Sequence, residues 1–190
     1  MKFAKFALVG AAAAGLVFAS LAAVPTFAKE ATVMVGGAPM FPSKNIIQNA
    51  VNSKDHTTLV AAVKAADLVS TLKGPGPFTV FAPTNAAFAA LPAGTVDNLL
   101  KPENKAMLRR VLTYHVVAGK MDAATLAKAV DAGAGKATLT EASGGTLTVT
   151  RSGSLLMLTD ESGGMAHVTI PDVVQSNGVI HVVDKVLLPK

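Results

Sequence analysis

Asn177-Gly178-Val179-Ile180-His181-Val182-Val183-Asp184-Lys185-Val186-Leu187-Leu188-Pro189 is the stretch that decides the fold of this chain. Four of the five residues from 179 to 183 are Val or Ile. Such a near-continuous apolar run is typical of a strand that is covered on both faces. The Asn-Gly pair before it predicts a tight turn, because both central positions of a type I′ turn need positive φ. The C-terminal part of the chain therefore predicts a strand deep inside a sheet.

Outward from that strand, the second half of the chain consists of short β-rich runs separated by Gly-rich turns. The predicted strands there are Ala137–Thr140, Thr146–Arg151, Leu155–Thr159, Ala166–Ile170 and Val179–Val186. Aromatic and β-branched content predicts two more strands in the first half, at Phe78–Phe81 and Tyr114–Val117. No internal repeat is visible, so we expect one copy of a single domain.

The first half of the chain carries helical periodicity. Thr84 and Asp122 are placed to cap helices that bury Phe88 and Leu126. Pro102 stands at a helix start, and that helix is predicted to bury one face made of Met107, Leu108, Val111 and Leu112. Because helices crowd the first half and strands the second, the predicted fold class is α+β. The expected core includes Phe81, Leu108 and Ile180.

Residues 1–28 have the features of an export signal. Lys2 and Lys5 precede an uncharged run, and Thr26-Phe27-Ala28 ends in a small residue where a signal peptidase cuts. The alternative is a retained membrane anchor, but the run is mostly Ala and Gly, which insert weakly. We expect cleavage after Ala28, with no membrane anchor left. An irregular leader at residues 29–44 is then expected to pack on a domain at residues 45–190.

Composition excludes several classes of function. The net charge of the chain is +5, or +3 without the two lysines of the predicted signal. The basic cluster of Lys101, Lys105, Arg109 and Arg110 has no interleaved aromatic residues, so no nucleic-acid partner is expected. The chain has no Cys, which excludes disulfides, thiol catalysis and thiolate metal sites.

Three segments, in this order, resemble the fasciclin (FAS1) family. Residues 79–88, with the sequence TVFAPTNAAF, resemble its first conserved block. Tyr114-His115-Val116-Val117 resembles its Tyr-His motif, and residues 177–189 resemble its second block. The resemblance covers about residues 45–189. It implies a compact α+β wedge of about seven strands with several helices packed beside it, of the small secreted bacterial single-domain type.

The resemblance also implies a function. Family members suggest adhesion or protein recognition outside the cytoplasm, secreted or periplasmic, through a surface and without catalysis or a cofactor. The expected partner is an extracellular or cell-surface protein or glycan. In animal members the motif at Tyr114 and His115 is tied to integrin recognition. Pro171-Asp172-Val173 is similar to a Pro-Asp-Ile type segment used by some members, but Ile170 stands where those members carry an acid.

Each candidate residue also has a structural interpretation. A buried imidazole at His115 would hydrogen-bond the backbone and hold a turn. In a strand, alternation would let at most one of Tyr114 and His115 face the core. Asp172 follows a proline, which is an ordinary turn position with a solvated carboxylate. We therefore expect Asp172→Ala to change stability by no more than about 0.5 kcal/mol.

The sequence does not favour an enzyme or a metal site. The four histidines have no ligand spacing, and no Gly-x-Ser-x-Gly elbow is present. A small-molecule carrier or sensor, with a cleft between helices and sheet, is the main alternative to adhesion. A hydrolase assembled from distant residues is a third. A deep apolar pocket with converging polar groups would favour carrier or enzyme. A flat apolar strip near Tyr114 would favour adhesion.

Overall fold

A computed structural model describes residues 32–190 of the chain, so the predicted export signal at residues 1–28 lies outside the described residues. Seven strands form one sheet in the order β4-β3-β9-β8-β7-β6-β5, and β1 and β2 form a separate hairpin. The strands are β1 (Val33–Val35), β2 (Ala38–Met40), β3 (Phe78–Pro83), β4 (Val116–Ala118), β5 (Lys136–Thr140), β6 (Thr146–Ser152), β7 (Leu155–Thr159), β8 (Met165–Gln175) and β9 (Gly178–Val183).

The seven-stranded sheet curls until its two outer strands nearly meet. Strands β3 and β9 are parallel, and the other neighbouring strands are antiparallel. Val117, in β4, forms a bridge with Glu141, the residue directly after β5. The Ala142 N–H donates to the Val116 carbonyl at 2.7 Å. The sheet therefore forms a nearly closed barrel.

The helices pack mainly on one side of β3 and β9. They are α1 (Ile46–Ala50), α2 (Thr57–Ala65), α3 (Val69–Lys73), α4 (Asn85–Ala89), α5 (Thr95–Leu99), α6 (Lys105–Tyr114) and α7 (Ala123–Ala132). The predicted caps are confirmed, since Thr84 accepts from the Ala87 N–H and Asp122 from the Thr125 N–H. Within residues 32–190 no helix has the length and apolarity needed to cross a membrane. The predicted α+β class is confirmed.

Two hydrophobic cores lie on opposite faces of β3 and β9. The helix-side core contains Val63, Leu72, Val80, Ala82, Leu108, Val111, Ile180 and Val182, among others. The barrel-side core contains Phe81, Tyr114, Leu126, Leu147, Leu158 and Val183, among others. Alternate residues of β3 and β9 enter different cores, which explains why both strands are apolar along their whole length. The predicted burial of Phe81, Leu108 and Ile180 is confirmed, whereas Met107 is 60% exposed.

Residues 33–40 of the predicted leader form a regular hairpin and not an irregular segment. Strands β1 and β2 pair through Val33–Met40 and Val35–Ala38, and Val35 and Met40 are buried in the helix-side core. The hairpin turn lies against the segment before α2, where the Lys54 N–H donates to the Gly36 carbonyl at 3.2 Å. A side chain at Gly36 would place Cβ 2.3 Å from the Ser53 hydroxyl oxygen, so this contact requires glycine.

The turn before β9 differs from the predicted type I′ turn. Gln175 pairs with Gly178, so Ser176 and Asn177 form the turn, and neither residue has left-handed backbone. Gly178 is needed for close approach, because a Cβ there would lie 2.1 Å from the Phe78 carbonyl oxygen. The Asn177 amide holds the surrounding elements together. It donates to the Leu72 and Gly74 carbonyls and accepts from the Ile46 N–H.

Candidate functional site

Tyr114 lies in the interior and not on a surface strip. Its side chain is fully buried at the end of α6. The hydroxyl donates to the Thr146 carbonyl at 2.7 Å and accepts from the Glu161 N–H at 3.1 Å. Burial raises the pKa of the Tyr114 hydroxyl, so the donor proton is retained. The side chain thereby fastens α6 to the barrel.

His115 is also buried, with both ring nitrogens in use. Nδ1 lies 2.8 Å from the Val111 carbonyl oxygen, and Nε2 accepts from the Leu187 N–H at 3.0 Å. These partners fix a neutral ring with its proton on Nδ1. Burial lowers the pKa of His115, which favours the same neutral state. The imidazole joins α6 to the C-terminal segment.

The expectation that only one of these two side chains faces the interior is wrong. It assumed a strand over residues 114–117, but α6 continues through Tyr114 and β4 begins at Val116. His115 occupies the connection between them, so strand alternation does not apply. Both rings are inaccessible to a partner in the folded domain.

The second candidate segment lies inside β8, which was predicted to end at Ile170. A bulge between Ile170 and Val173 lets the strand continue, with Asp172 in left-handed backbone at φ 58°. Pro171 is exposed, Asp172 is half-buried and Val173 is buried. The segment is therefore a bulge within a strand and not a turn.

Asp172 has a structural task that its sequence position did not reveal. Its Oδ1 accepts from the Ala123 N–H at 2.7 Å, at the first residue of α7. Its own N–H donates to Nδ1 of His181 at 3.3 Å. A carboxylate at a helix N-terminus stabilises the helix, so Asp172 is not the freely solvated acid that was expected. Strands β3 and β9 separate β8 from β4, so the two candidate segments do not form one strip.

His181 is another buried histidine with both ring nitrogens bonded. Its Nε2 lies 2.8 Å from the Met121 carbonyl oxygen, and its ring stacks on Phe81 with 5.6 Å between ring centroids. Burial lowers the pKa of His181. Among residues 32–190, no three His, Asp or Glu side chains come together in a way that could hold a metal ion.

Two buried carboxylates also organise turns, and the sequence analysis missed them. Glu141 accepts from the Ser143 N–H and hydroxyl and from the Gly145 N–H. Asp160 accepts from the Ser162, Gly164 and Leu188 N–H groups. The signal was present as a pattern, because Thr-acid-x-Ser-Gly-Gly occurs at both 140–145 and 159–164.

An apolar cavity of about 40 Å³ lies in the helix-side core. Its walls come from α1, α2, β3 and β9, with Val35 and Met40 of the hairpin among them. Two imidazoles, His56 and His115, also line it. Tyr114 is buried, so it forms no flat apolar strip, and the cavity has nearly all-apolar walls without a converging set of free polar groups. Neither of the two expected arrangements is therefore present in full among residues 32–190.

The nearly closed seven-stranded barrel with helices on one side, and with its Tyr-His pair used for packing, defines a fasciclin-type domain. The Fasciclin domain family model matches residues 54–189, and the chain belongs to this family. Protein sll1483 of Synechocystis sp. is 47% identical over 161 residues, covering 84% of this chain and 82% of that protein.

More distant relatives share the same domain. Immunogenic protein MPB70 of Mycobacterium bovis is 38% identical over 145 residues, covering 74% of this chain and 66% of that protein. The solved FAS1 domain pair of the insect cell adhesion molecule Fasciclin I superposes with a TM-score of 0.68 at 18% identity. That match covers 78% of this chain and 52% of the insect chain, so the chain spans about half of the pair.

Proposed function

We propose that the chain is a secreted or periplasmic recognition module that binds an extracellular or cell-surface protein without catalysis. The binding surface is the outer row of β8, defined as Met165, His167, Thr169 and Pro171. Family membership supports this function, since the insect Fasciclin I is a cell adhesion molecule. The surface retains Pro171 from the sequence-based candidates, and Asp172 is the next residue along the strand.

One observation carries the choice of surface. Along β8 the inward residues Ala166 and Val168 are buried, while Met165 is 53% exposed and Thr169 and Pro171 are exposed. Exposed Met and Pro on a strand provide apolar contact area, and Met is enriched at protein interfaces. By contrast, Tyr114, His115 and His181 use their polar atoms within the fold, which leaves them unavailable for catalysis.

A pull-down with matched variants tests this surface. The chain from Lys29 is immobilised and exposed to extracellular extract of the source organism, and the retained partner is quantified. Met165→Lys is expected to reduce retention at least ten-fold. Met107→Lys is the matched control, because Met107 is a similarly exposed methionine on α6. Equal retention by both variants would place recognition elsewhere.

The charge of Asp172 is probed separately. Asp172→Asn keeps an acceptor for the Ala123 N–H and tolerates left-handed backbone, so only the charge is lost. We expect a two- to five-fold reduction in retention with an unchanged melting temperature. Periodate treatment of the extract distinguishes partner classes, because loss of retention after it would indicate a glycan and not a protein.

A small-molecule carrier is the second candidate function. The apolar cavity in the helix-side core is the observation that favours it. Its location differs from the outer row of β8, since the cavity lies beneath helices and hairpin. Surface recognition and ligand binding can therefore be tested independently.

A further inference from the structure

The cavity in the helix-side core takes no part in the surface recognition proposed above. Ile46 and Ile47 of α1, Val63 of α2, and Val80 and Ile180 of the sheet contribute apolar side chains to its walls. Its volume of about 40 Å³ exceeds the 10–15 Å³ that one water needs. It is much smaller than the roughly 150 Å³ of an engineered cavity that binds benzene. The space suits a molecule of a few heavy atoms.

One polar atom at this cavity has no protein partner. His56 is buried, and its Nδ1 lies 2.9 Å from the Ser53 hydroxyl oxygen. Its Nε2 makes no hydrogen bond within residues 32–190. Burial lowers the pKa of His56, so the ring is neutral near pH 7. A backbone hydrogen-bond interaction with Ala82 partly offsets the effect of burial on the pKa, but no group meets hydrogen-bond geometry at Nε2. His115 also lines the cavity, but its two nitrogens are already bonded.

We propose that this cavity binds a small, neutral, apolar molecule with a single hydroxyl group, which pairs with Nε2 of His56. Buried polar atoms in native proteins almost always have partners, so an unpaired imidazole nitrogen indicates a place for one. Water fits poorly, because it needs two to four polar partners and this space offers one unpaired atom. A hydroxyl both donates and accepts, and therefore suits either tautomer of His56.

The hairpin of β1 and β2 covers this site. Val35 and Met40 form part of the cavity wall, and the hairpin turn at Gly36 lies against Ser53, the hydrogen-bond partner of His56. The hairpin pairs only with itself and not with the seven-stranded sheet. The hairpin therefore covers the cavity without being part of the barrel.

Methyl NMR of the chain from Lys29 tests the proposal with three probes. They are 2-propanol, acetate with the same number of heavy atoms but a charge, and xenon as an apolar probe without a polar group. We expect 2-propanol to cause saturable shifts of Ile46 and Val80 methyls in the millimolar range, since four heavy atoms limit affinity. Xenon should shift the same methyls, and acetate should shift none.

Two sets of variants then locate the ligand. Ser53→Ala combined with His56→Leu removes the polar anchor without leaving the serine unpaired. It should weaken 2-propanol binding at least five-fold and leave xenon binding within two-fold. Val80→Ile fills the cavity and should abolish both, with Val116→Ile as a second filler if the first fails to fold. Val149→Ile, buried in the barrel-side core, is the matched control and should bind like the parent.

Several results would overturn the proposal. Unchanged methyl shifts with both 2-propanol and xenon would show that the cavity takes no ligand. Undiminished binding to the filled variants would place the probes elsewhere. Equal 2-propanol affinity without His56 would remove its role as anchor. None of these outcomes depends on the pull-down, because the cavity and the outer row of β8 share no residue.

Discussion

The helix-side core and the barrel-side core share two strands but differ in how they handle polar groups. In the barrel-side core the Tyr114 hydroxyl has both a donor and an acceptor partner, and Leu126, Leu147 and Leu158 are fully buried around it. The helix-side core holds a cavity and an imidazole nitrogen without a protein partner. Among residues 32–190, the buried polar groups of the barrel-side core have partners, whereas the helix-side core holds a cavity beside an unpaired nitrogen.

The Tyr-His motif connects these two cores. Tyr114 belongs to the barrel-side core, whereas the next residue, His115, lines the cavity of the helix-side core. Consecutive residues face different cores because the chain passes from α6 to β4 between them. The motif therefore acts as a joint between the two cores. A family motif that looks like a binding epitope in sequence is here a packing element.

The largest expected effect is on the free energy of unfolding, and it compares how tightly the two cores are packed. Phe81→Ala removes a fully buried ring from the barrel-side core and should lower the free energy of unfolding by about 3–5 kcal/mol. Leu72→Ala, at the cavity wall, should cost nearer 2 kcal/mol, because a side chain beside a void has fewer contacts to lose. Chemical denaturation measures both, and equal costs would contradict the contrast.

Tyr114→Phe probes the satisfied network of the barrel-side core. It keeps the ring but leaves the Glu161 N–H and the Thr146 carbonyl without the hydroxyl, which should cost about 1–3 kcal/mol. Circular dichroism should show the native spectrum at a lower melting temperature. Leu158→Met, a conservative change in the barrel-side core, is the control. A Tyr114→Phe melt like the parent would show that the hydroxyl contributes nothing.

Substitutions of Asp172 probe β8, the strand that passes from one core to the other. Val168 of β8 lies in the barrel-side core, and Val173 lies in the helix-side core. Asp172→Ala loses the bond to the Ala123 N–H and places Ala in left-handed backbone, at a cost of about 1–2 kcal/mol. Asp172→Asn should stay within about 0.5 kcal/mol of the parent. Similar denaturation midpoints for the two variants would return Asp172 to the role of an ordinary surface acid.

The effect of acid on stability is spread over a range of pH and is small at any one pH near neutrality. Burial lowers the pKa of His56 below its unfolded value near 6.5, so the unfolded chain binds the extra proton and stability falls as pH drops below that value. His115 and His181 act in the same direction. Each contributes a slope of at most about 1.4 kcal/mol per pH unit.

His56→Leu with Ser53→Ala should therefore flatten the dependence of unfolding free energy on pH between 6.5 and 5 by up to about 1.4 kcal/mol per pH unit. Leu59→Met, which changes the same cavity wall without a titrating group, is the control. Denaturant titrations at several pH values give the slope. A slope identical to that of the parent would mean that His56 already binds its proton in the folded state.

The sequence predicted the strands well because their alternation and their Gly-rich turns are local properties. Leu155–Thr159 was predicted to the residue, and the caps at Thr84 and Asp122 are confirmed. Tyr114 was predicted to lie in a strand because the residues after it are β-branched. In the structure α6 continues through Tyr114, whose side chain packs on the barrel. The error at Pro171 arose because a bulge lets a strand continue past proline.

The candidate site was less predictable than the fold. A cavity is the space left after helices and sheet have packed, and no residue type encodes it. The bond between Asp172 and α7 joins residues far apart in sequence, so spacing gave no hint of it. Only the repeated Thr-acid-x-Ser-Gly-Gly pattern could have been found in the sequence, because each carboxylate accepts from N–H groups of its own turn.

The meeting of β4 and β5 bears on how these domains behave when crowded. An open sheet has exposed edge strands whose free N–H and C=O groups can pair with another copy and nucleate aggregates. Here β4 has three residues and β5 has five, and the bridge from Val117 to Glu141 occupies part of the gap between them. Little edge of the seven-stranded sheet remains for a second chain to extend. Copies of the domain at high concentration would therefore meet through side chains and not through shared strands of this sheet.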